Sequence, residues 1–335
     1  MNTIWPFIGN DHAFNFLSKS IKANKLAQTY IFKGISNVGK TRAATQFAKI
    51  LLCNSKNNIK PCGACLSCEN LTTLKESNSD LYILKKDSDK KDISTEQVRD
   101  FIHNLSMSSF NNGYKIGIIK SAHHLNSSGF NALLKTLEEP NKKVIIILTT
   151  SSVTKIPMTI ISRSQILRFK SVGQNLIYDL LIDKYKAERS EAKNLSHMCL
   201  GKPAIAIKLL ENKEYQTKYI NNINIFVDFN TSTLEIKLKK IEEIFPQKQE
   251  ASVANLIAQK LIEAWLALLR DCLLLKFNQK IYVQHTMISE KLNTIQKNKS
   301  IGELLNIQTI LKKSNRYLAC NVSPKNVFDY IAINI

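Results

Sequence analysis

The segment that most constrains this chain is Gly34-Ile35-Ser36-Asn37-Val38-Gly39-Lys40-Thr41, a complete G-x-x-x-x-G-K-T phosphate loop. It follows the β-branched and aromatic run Thr29–Lys33, and Thr41–Leu52 reads as the next helix. In that setting the backbone N–H groups of the loop and the helix N-terminus face phosphate oxygens. Lys40 then reaches the terminal phosphates, and the Thr41 hydroxyl can bind magnesium. Gly34, Asn37, Val38, Gly39, Lys40 and Thr41 are therefore the candidate nucleotide-binding residues. The alternative is a glycine-rich turn that binds nothing.

The first half alternates short β-branched runs with helical segments, and five short strands fit one parallel sheet. Candidates are Thr29–Lys33, Leu81–Leu84, Lys115–Lys120, Val144–Thr149 and Gln165–Phe169. Between the third and fourth, Phe130, Leu133, Leu134 and Leu137 recur at helical spacing, with Asn126 or Ser127 as a cap and Pro140 beyond the end. After Phe169 the strand runs cease. Leu176–Tyr185, Ser190–Cys199 and Pro203–Leu210 read as short helices, and Tyr219–Ser232 as a connection or a loose helix. From Leu234 onward the pattern is helical, with a stripe of Ile257, Leu261, Trp265, Leu268 and Leu269 and with breaks at Asn315, Val322 and Pro324. The expected fold class is α/β then all-α, with an α/β domain over residues 1–169, a small helical domain over 170–212 and a C-terminal helical domain over 213–335.

Hydrolysis needs an acid at the end of a neighbouring strand to help hold magnesium, and usually a second carboxylate to orient water. The strand expected to carry them ends in Lys120-Ser121-Ala122-His123-His124, and the next acids are Glu138 and Glu139. A histidine could act as the base, but two exposed loop histidines are the simpler account. The chain is thus expected to show no independent enzymatic turnover, whether or not the loop binds ATP and magnesium.

Cys53, Cys62, Cys65 and Cys68 form C-x8-C-x2-C-x2-C, with Gly63 allowing a tight turn. This spacing suits a closed, structural four-thiolate zinc site. Free core cysteines, a redox pair or an iron–sulfur cluster are the alternatives. Cys199, Cys272 and Cys320 are scattered and expected in cores. Arg163, within Ser162-Arg163-Ser164, stands just before the last strand. From there it could project onto a neighbouring subunit's γ-phosphate, although a surface ion pair is the ordinary role of one arginine.

Composition adds less than its totals suggest. The formal charge is +20, a balance that favours polyanionic partners. Yet 40 of the 47 basic residues are Lys, and Lys, Asn and Ile together make 113 residues, as adenine- and thymine-rich coding would produce. The excess is spread, at +12 over residues 1–169 and +8 over 170–335, which disfavours a free-standing nucleic-acid binder. The N-terminus has no signal-peptide pattern, and the most apolar stretch, Leu256–Lys276, holds Lys260, Glu263, Arg270 and Asp271, so a cytoplasmic protein without a membrane span is expected.

The phosphate loop, the four cysteines after its helix, Asn131-Ala-Leu-Leu-Lys-Thr-Leu-Glu-Glu-Pro140, a Thr-rich strand end and Ser-Arg-Ser together resemble the clamp-loader branch of the AAA+ ATPases. The resemblance spans about residues 7–210. It implies a helical lid and a C-terminal oligomerisation collar. It also implies a role in a hetero-pentamer of DNA polymerase III with motor (gamma/tau) and delta subunits, which places a sliding clamp on primer–template DNA. Ser121 and Ala122 fall where a motor subunit carries Asp and Glu. Thr149 or Thr150 falls where the γ-phosphate is sensed, and Ala204 stands where a motor's lid has Arg. By this resemblance the chain is a noncatalytic stator and Arg163 is the finger that completes the adjacent motor's ATP site. Lys40 and Thr41 are retained although some stators have lost them, and Ser164 replaces a common Cys.

Overall fold

The structure is a computed structural model that describes residues 5–55, 61–70, 79–87, 90, 92–109, 113–138 and 143–335. Glu139 and Pro140 of the Asn131–Pro140 motif lie outside these residues. The chain divides into two compact units, residues 1–180 with 201–204, and residues 181–200 with 205–335.

In the first unit, strands β1 (Thr29–Lys33), β2 (Leu81–Leu84), β3 (Lys115–Ile119), β4 (Val144–Thr150) and β5 (Gln165–Arg168) form one parallel sheet in the order β2-β3-β4-β1-β5. These match the expected strands to within one residue at the ends. A parallel sheet must be covered on both faces, and the strand residues divide accordingly. Tyr30, Phe32, Ile116, Ile118, Ile145 and Ile147 share a core with Ala13, Phe14 and Leu17 of α1 (Asp11–Lys22) and with Ala43, Ala44 and Phe47 of α2 (Lys40–Leu52). After the short helix α3 (Leu66–Asn70), the opposite face buries Ile31, Ile119, Val144, Ile146 and Leu148. It packs against Val98, Phe101 and Leu105 of α4 (Thr95–Ser106) and Phe130, Leu133 and Leu137 of α5 (Ser127–Glu138). Ser94 and Gln97 form a reciprocal capping box at α4, and Asn126 accepts the Gly129 N–H at 2.7 Å, so Asn126 caps α5.

The one-turn helix α6 (Met158–Ile161) leads into β5. The chain then returns to its own start. Asn10 Nδ2 donates to the Lys170 carbonyl at 3.1 Å, and Asn10 Oδ1 accepts the Lys170 N–H at 2.7 Å. At the centre of this closure an added Cβ on Gly34 would come within 2.2 Å of the Phe169 carbonyl oxygen, so only glycine fits.

Helices α7 (Gln174–Asp183) and α9 (Pro203–Glu211) cross the boundary between the units, and α8 (Arg189–Met198) lies in the second. The second unit continues with α10 (Lys213–Thr231), α11 (Leu234–Ile244), α12 (Ala251–Lys276), α13 (Ser289–Asn298), α14 (Ile301–Ala319) and α15 (Pro324–Asn334). The segment over Tyr219–Ser232 is part of the regular helix α10, because Asn212 caps its start and Ile223, Phe226 and Phe229 bury one face. No break occurs at Asn315, which lies within α14, a helix whose buried Ile310, Leu311, Ser314 and Leu318 keep helical spacing through it. Cys199 and Cys272 are buried as expected, but Cys320 is exposed because it caps the end of α14.

By length and composition α12 could cross a membrane, yet ten of its residues are buried within this unit. Trp265 packs against Phe226, Phe229 and Phe328 at its centre. Asp271 is fully buried on the same helix. Its Oδ2 accepts the backbone N–H groups of Gln284 and His285 and the His285 ring Nδ1–H at 2.7 Å, while Tyr219 Oη lies 2.9 Å from His285 Nε2.

The closure at Gly34 yields a direct test. Gly34→Ala should destabilise the first unit by about 1–3 kcal/mol, since the backbone itself must move. Gly173→Ala, which meets nothing within 4 Å, should change stability by less than about 0.5 kcal/mol. Urea unfolding followed by hydrogen exchange in β1 and β4 separates the two, and equal effects would contradict the packing argument.

Candidate nucleotide and metal sites

The phosphate loop spans the turn between β1 and α2, with Asn37 and Gly39 in left-handed conformations (φ 66° and 95°). Asn tolerates that region and Gly occupies it freely, so the loop can present successive N–H groups inward without steric cost. Val38 is buried in the core under α2 and anchors the loop from below. The helix begins on Lys40 itself, whose ammonium donates to the carbonyls of Gly34 and Ile35, both at 2.6 Å. Burial brings its pKa down to about 8. Thr41 follows in the first turn, half-buried.

The neighbouring strand ends meet this loop. Gly34 N–H donates to the Thr150 carbonyl at 3.1 Å. Thr149 Oγ accepts the Ser121 N–H at 3.0 Å, so Ser121 and Thr149, two positions singled out by the sequence, are brought together. Ser121 takes φ 54°, and Ala122 is fully buried. From Lys115 to Leu137 there is no Asp or Glu, and Glu138 ends α5. The start of α9 reaches the loop within the same unit, where the Ala204 N–H donates to the Asn37 carbonyl at 3.4 Å.

His123 and His124 are not the exposed loop residues expected of them. They form a 3₁₀ turn, are half-buried, and have ring centroids 4.4 Å apart. His123 Nδ1 lies 3.3 Å from Thr150 Oγ, and its Nε2 lies 3.4 Å from Ser151 Oγ. Burial first, and then the charges of His124, Lys155 and Lys40, bring His123 down to about 4. A histidine pair directly after a buried strand was the signal available for this contact. Its partner Thr150 was visible only as part of a Thr-rich strand end.

The four cysteines converge. Cys53, Cys62, Cys65 and Cys68 place their sulfurs within 4.8 Å of one another, with Cys62 and Cys68 at 4.0 Å. Tetrahedral zinc–thiolate bonds of about 2.3 Å put sulfurs about 3.8 Å apart, so the cluster fits such an ion with small adjustment. Gly63 supplies the turn between two ligands at φ 77°, and the Cys62 N–H donates to the Cys53 sulfur at 3.2 Å. Burial works to raise the Cys65 thiol, but hydrogen bonds from the backbone of Asn54 and Cys68 and from the Cys68 and Cys62 thiols outweigh it, bringing it down to about 6. Burial pushes Cys68 up. A cation among the sulfurs would favour the thiolate at all four positions, and the N–H donors would orient them.

Arg163 is exposed between α6 and β5, with Nη1 donating to the Thr159 carbonyl at 3.1 Å and Ser164 Oγ donating to the Ile160 carbonyl at 2.6 Å. These bonds fix the turn before β5 and rest the exposed guanidinium on the end of α6.

A parallel sheet with β4 inserted between the phosphate-loop strand and β3, and a helix beginning on the loop lysine, define a phosphate-loop α/β unit. Within that class, residues 9–173 match the family described as DNA polymerase III, delta subunit. DNA polymerase III subunit tau of Bacillus subtilis is 25% identical over 98% of this chain and 60% of its own length. The gamma/tau subunit of Mycoplasma genitalium is 34% identical over 54% of this chain and 30% of its own. The delta' subunit of B. subtilis is 28% identical over 68% of this chain and 65% of its own. Among solved structures, a gamma-subunit-related protein of Thermotoga maritima aligns over 97% of this chain and 98% of its own, with 16% identity and a TM-score of 0.44. The chain spans less than two thirds of the length of each of these three curated relatives. Over its α/β unit the chain is thus similar to tau, gamma/tau and delta' subunits of DNA polymerase III.

Metal analysis of anaerobically purified protein should find about one zinc per chain, and Cys53→Ser or Cys65→Ser should remove most of it. Far less than one equivalent in the wild type, or visible absorbance from iron and sulfide, would contradict a structural zinc site.

Proposed function

We propose that this chain is a subunit of the DNA polymerase III clamp loader and, within it, the noncatalytic stator that corresponds to delta-prime. It would help the cytoplasmic, ATP-driven loading of a sliding clamp onto primed DNA in chromosomal replication. As part of the polymerase holoenzyme it would have no turnover of its own. The observation that carries this reading is the end of β3. There Ser121, Ala122 and His123 occupy the ground where a hydrolytic site needs acids, and the Ser121 N–H is engaged by Thr149. A motor working with this constellation would lack both the magnesium-binding and the water-orienting carboxylate. Ala204, in place of a lid arginine, points the same way.

In this role the residues 213–335 form a collar that joins motor and delta subunits in a pentamer, and the lid is formed by residues 170–212. Arg163 supplies charge in trans to the γ-phosphate of the adjacent motor. Its exposure and the bonded turn beneath it suit a guanidinium offered to a neighbour. The four cysteines would hold zinc as a structural staple, and the phosphate loop would bind ATP without hydrolysing it.

A second reading, an ATP-hydrolysing gamma/tau-type motor of the same loader, is favoured by the intact Lys40 and Thr41 and by the similarity to tau and gamma/tau subunits. In a reconstituted loader, Arg163→Ala should abolish turnover at the site it completes, because an arginine finger is worth about 10³–10⁵ in rate. DNA-stimulated ATPase of the assembly should fall by at least that site's share. An unchanged rate in a fully assembled complex would contradict the finger.

A further inference from the structure

The ends of β3 and β4 meet beside the phosphate loop in an arrangement to which a stator role gives no task. The Thr150 hydroxyl donates to the Ser152 carbonyl at 2.8 Å and accepts the Ser152 N–H at 3.1 Å. With its proton so placed, its oxygen accepts from His123 Nδ1–H, and Nε2 is left to accept from the Ser151 hydroxyl. The imidazole is thereby held as one neutral tautomer. Through Thr150 it is tied to Gly34 N–H and so to the carbonyl cradle of Lys40.

The charges facing His123 are His124 on its own turn, Lys155 on the turn after β4, and Lys40 on α2. All are basic, and no acid occurs between Lys115 and Leu137. Asp92 acts on His124 rather than on His123, so among the described residues a divalent cation brought beside His123 would meet chiefly positive charge. A phosphate would meet Lys40, Lys155 and the loop N–H groups. Thr41 is the one hydroxyl the loop itself can offer to magnesium after its lysine.

We propose that this phosphate loop takes a nucleoside phosphate as the metal-free anion, with His123 positioning the end of β4 as a neutral group where a carboxylate would otherwise help hold magnesium. The proposal rests on the loop's being a nucleotide site, and it concerns which ionic form of the ligand is bound rather than whether it is hydrolysed. It is independent of Arg163.

The test is equilibrium binding of N-methylanthraniloyl-ATP to the full chain in excess magnesium and in EDTA, with ADP release measured in the same samples. Affinity in EDTA should be tighter than, or within about threefold of, that in magnesium. Ser121→Asp puts a carboxylate at the end of β3 in a left-handed position that Asp accepts readily, and it should make magnesium tighten binding by about tenfold or more. His123→Asn can keep the hydrogen bond to Thr150 without charge and should preserve the wild-type ratio. His123→Asp should shift it toward magnesium dependence.

Wild-type binding that weakens more than about threefold in EDTA overturns the proposal. So does the absence of binding in both conditions, or a Ser121→Asp chain with no gain from magnesium. ADP release, by contrast, would overturn the stator reading alone.

Discussion

The architecture of the first unit depends on the close approach of β1 to both of its neighbours at Gly34. There the backbone N–H is bonded to Thr150, and an added Cβ would strike the Phe169 carbonyl. This contact sets how far the phosphate loop rises above the sheet and which groups surround it. Because β4 lies between β1 and β3, the loop faces Thr149 and Thr150 directly and reaches the end of β3 only through them. The chemistry available at the site is decided by what those two strand ends carry. They carry hydroxyls and an imidazole.

The sheet was legible in the sequence because its three inner strands β1, β3 and β4 are short, β-branched-rich runs buried on both faces, with helical segments between them. The cysteine cluster was legible for a different reason: ligand spacing is local, and Gly63 marks the turn. The helical half was harder to read. Asn-rich stretches look like breaks, yet in α10 and α14 the apolar positions keep their spacing through the asparagines, and tertiary burial overrides the weak local preference. The partnership of His123 with Thr150 was signalled only by a histidine pair after a buried strand, since it joins residues 27 apart whose meeting depends on strand order.

The second unit shows the same division between pattern and contact. The stripe on α12 announced a core helix, and Trp265 sits at its centre. Asp271 on that helix looked like an argument against a membrane span. In the fold it is a buried acceptor for two backbone N–H groups and a histidine, and so ties the 283–288 segment to the core of the unit. Removing its charge would strand these donors in an apolar setting, which is the costly side of a buried hydrogen bond.

The stator reading rests on a complete phosphate-loop sequence set beside strand ends that carry hydroxyls and an imidazole. Lys40 is held on the loop carbonyls of Gly34 and Ile35, while Ser121 and His123 are bonded to Thr149 and Thr150. The most direct test is steady-state ATP turnover by the purified chain in magnesium, beside Lys40→Ala. The account predicts no turnover above background in either protein. Turnover by the wild type that Lys40→Ala abolishes would contradict it.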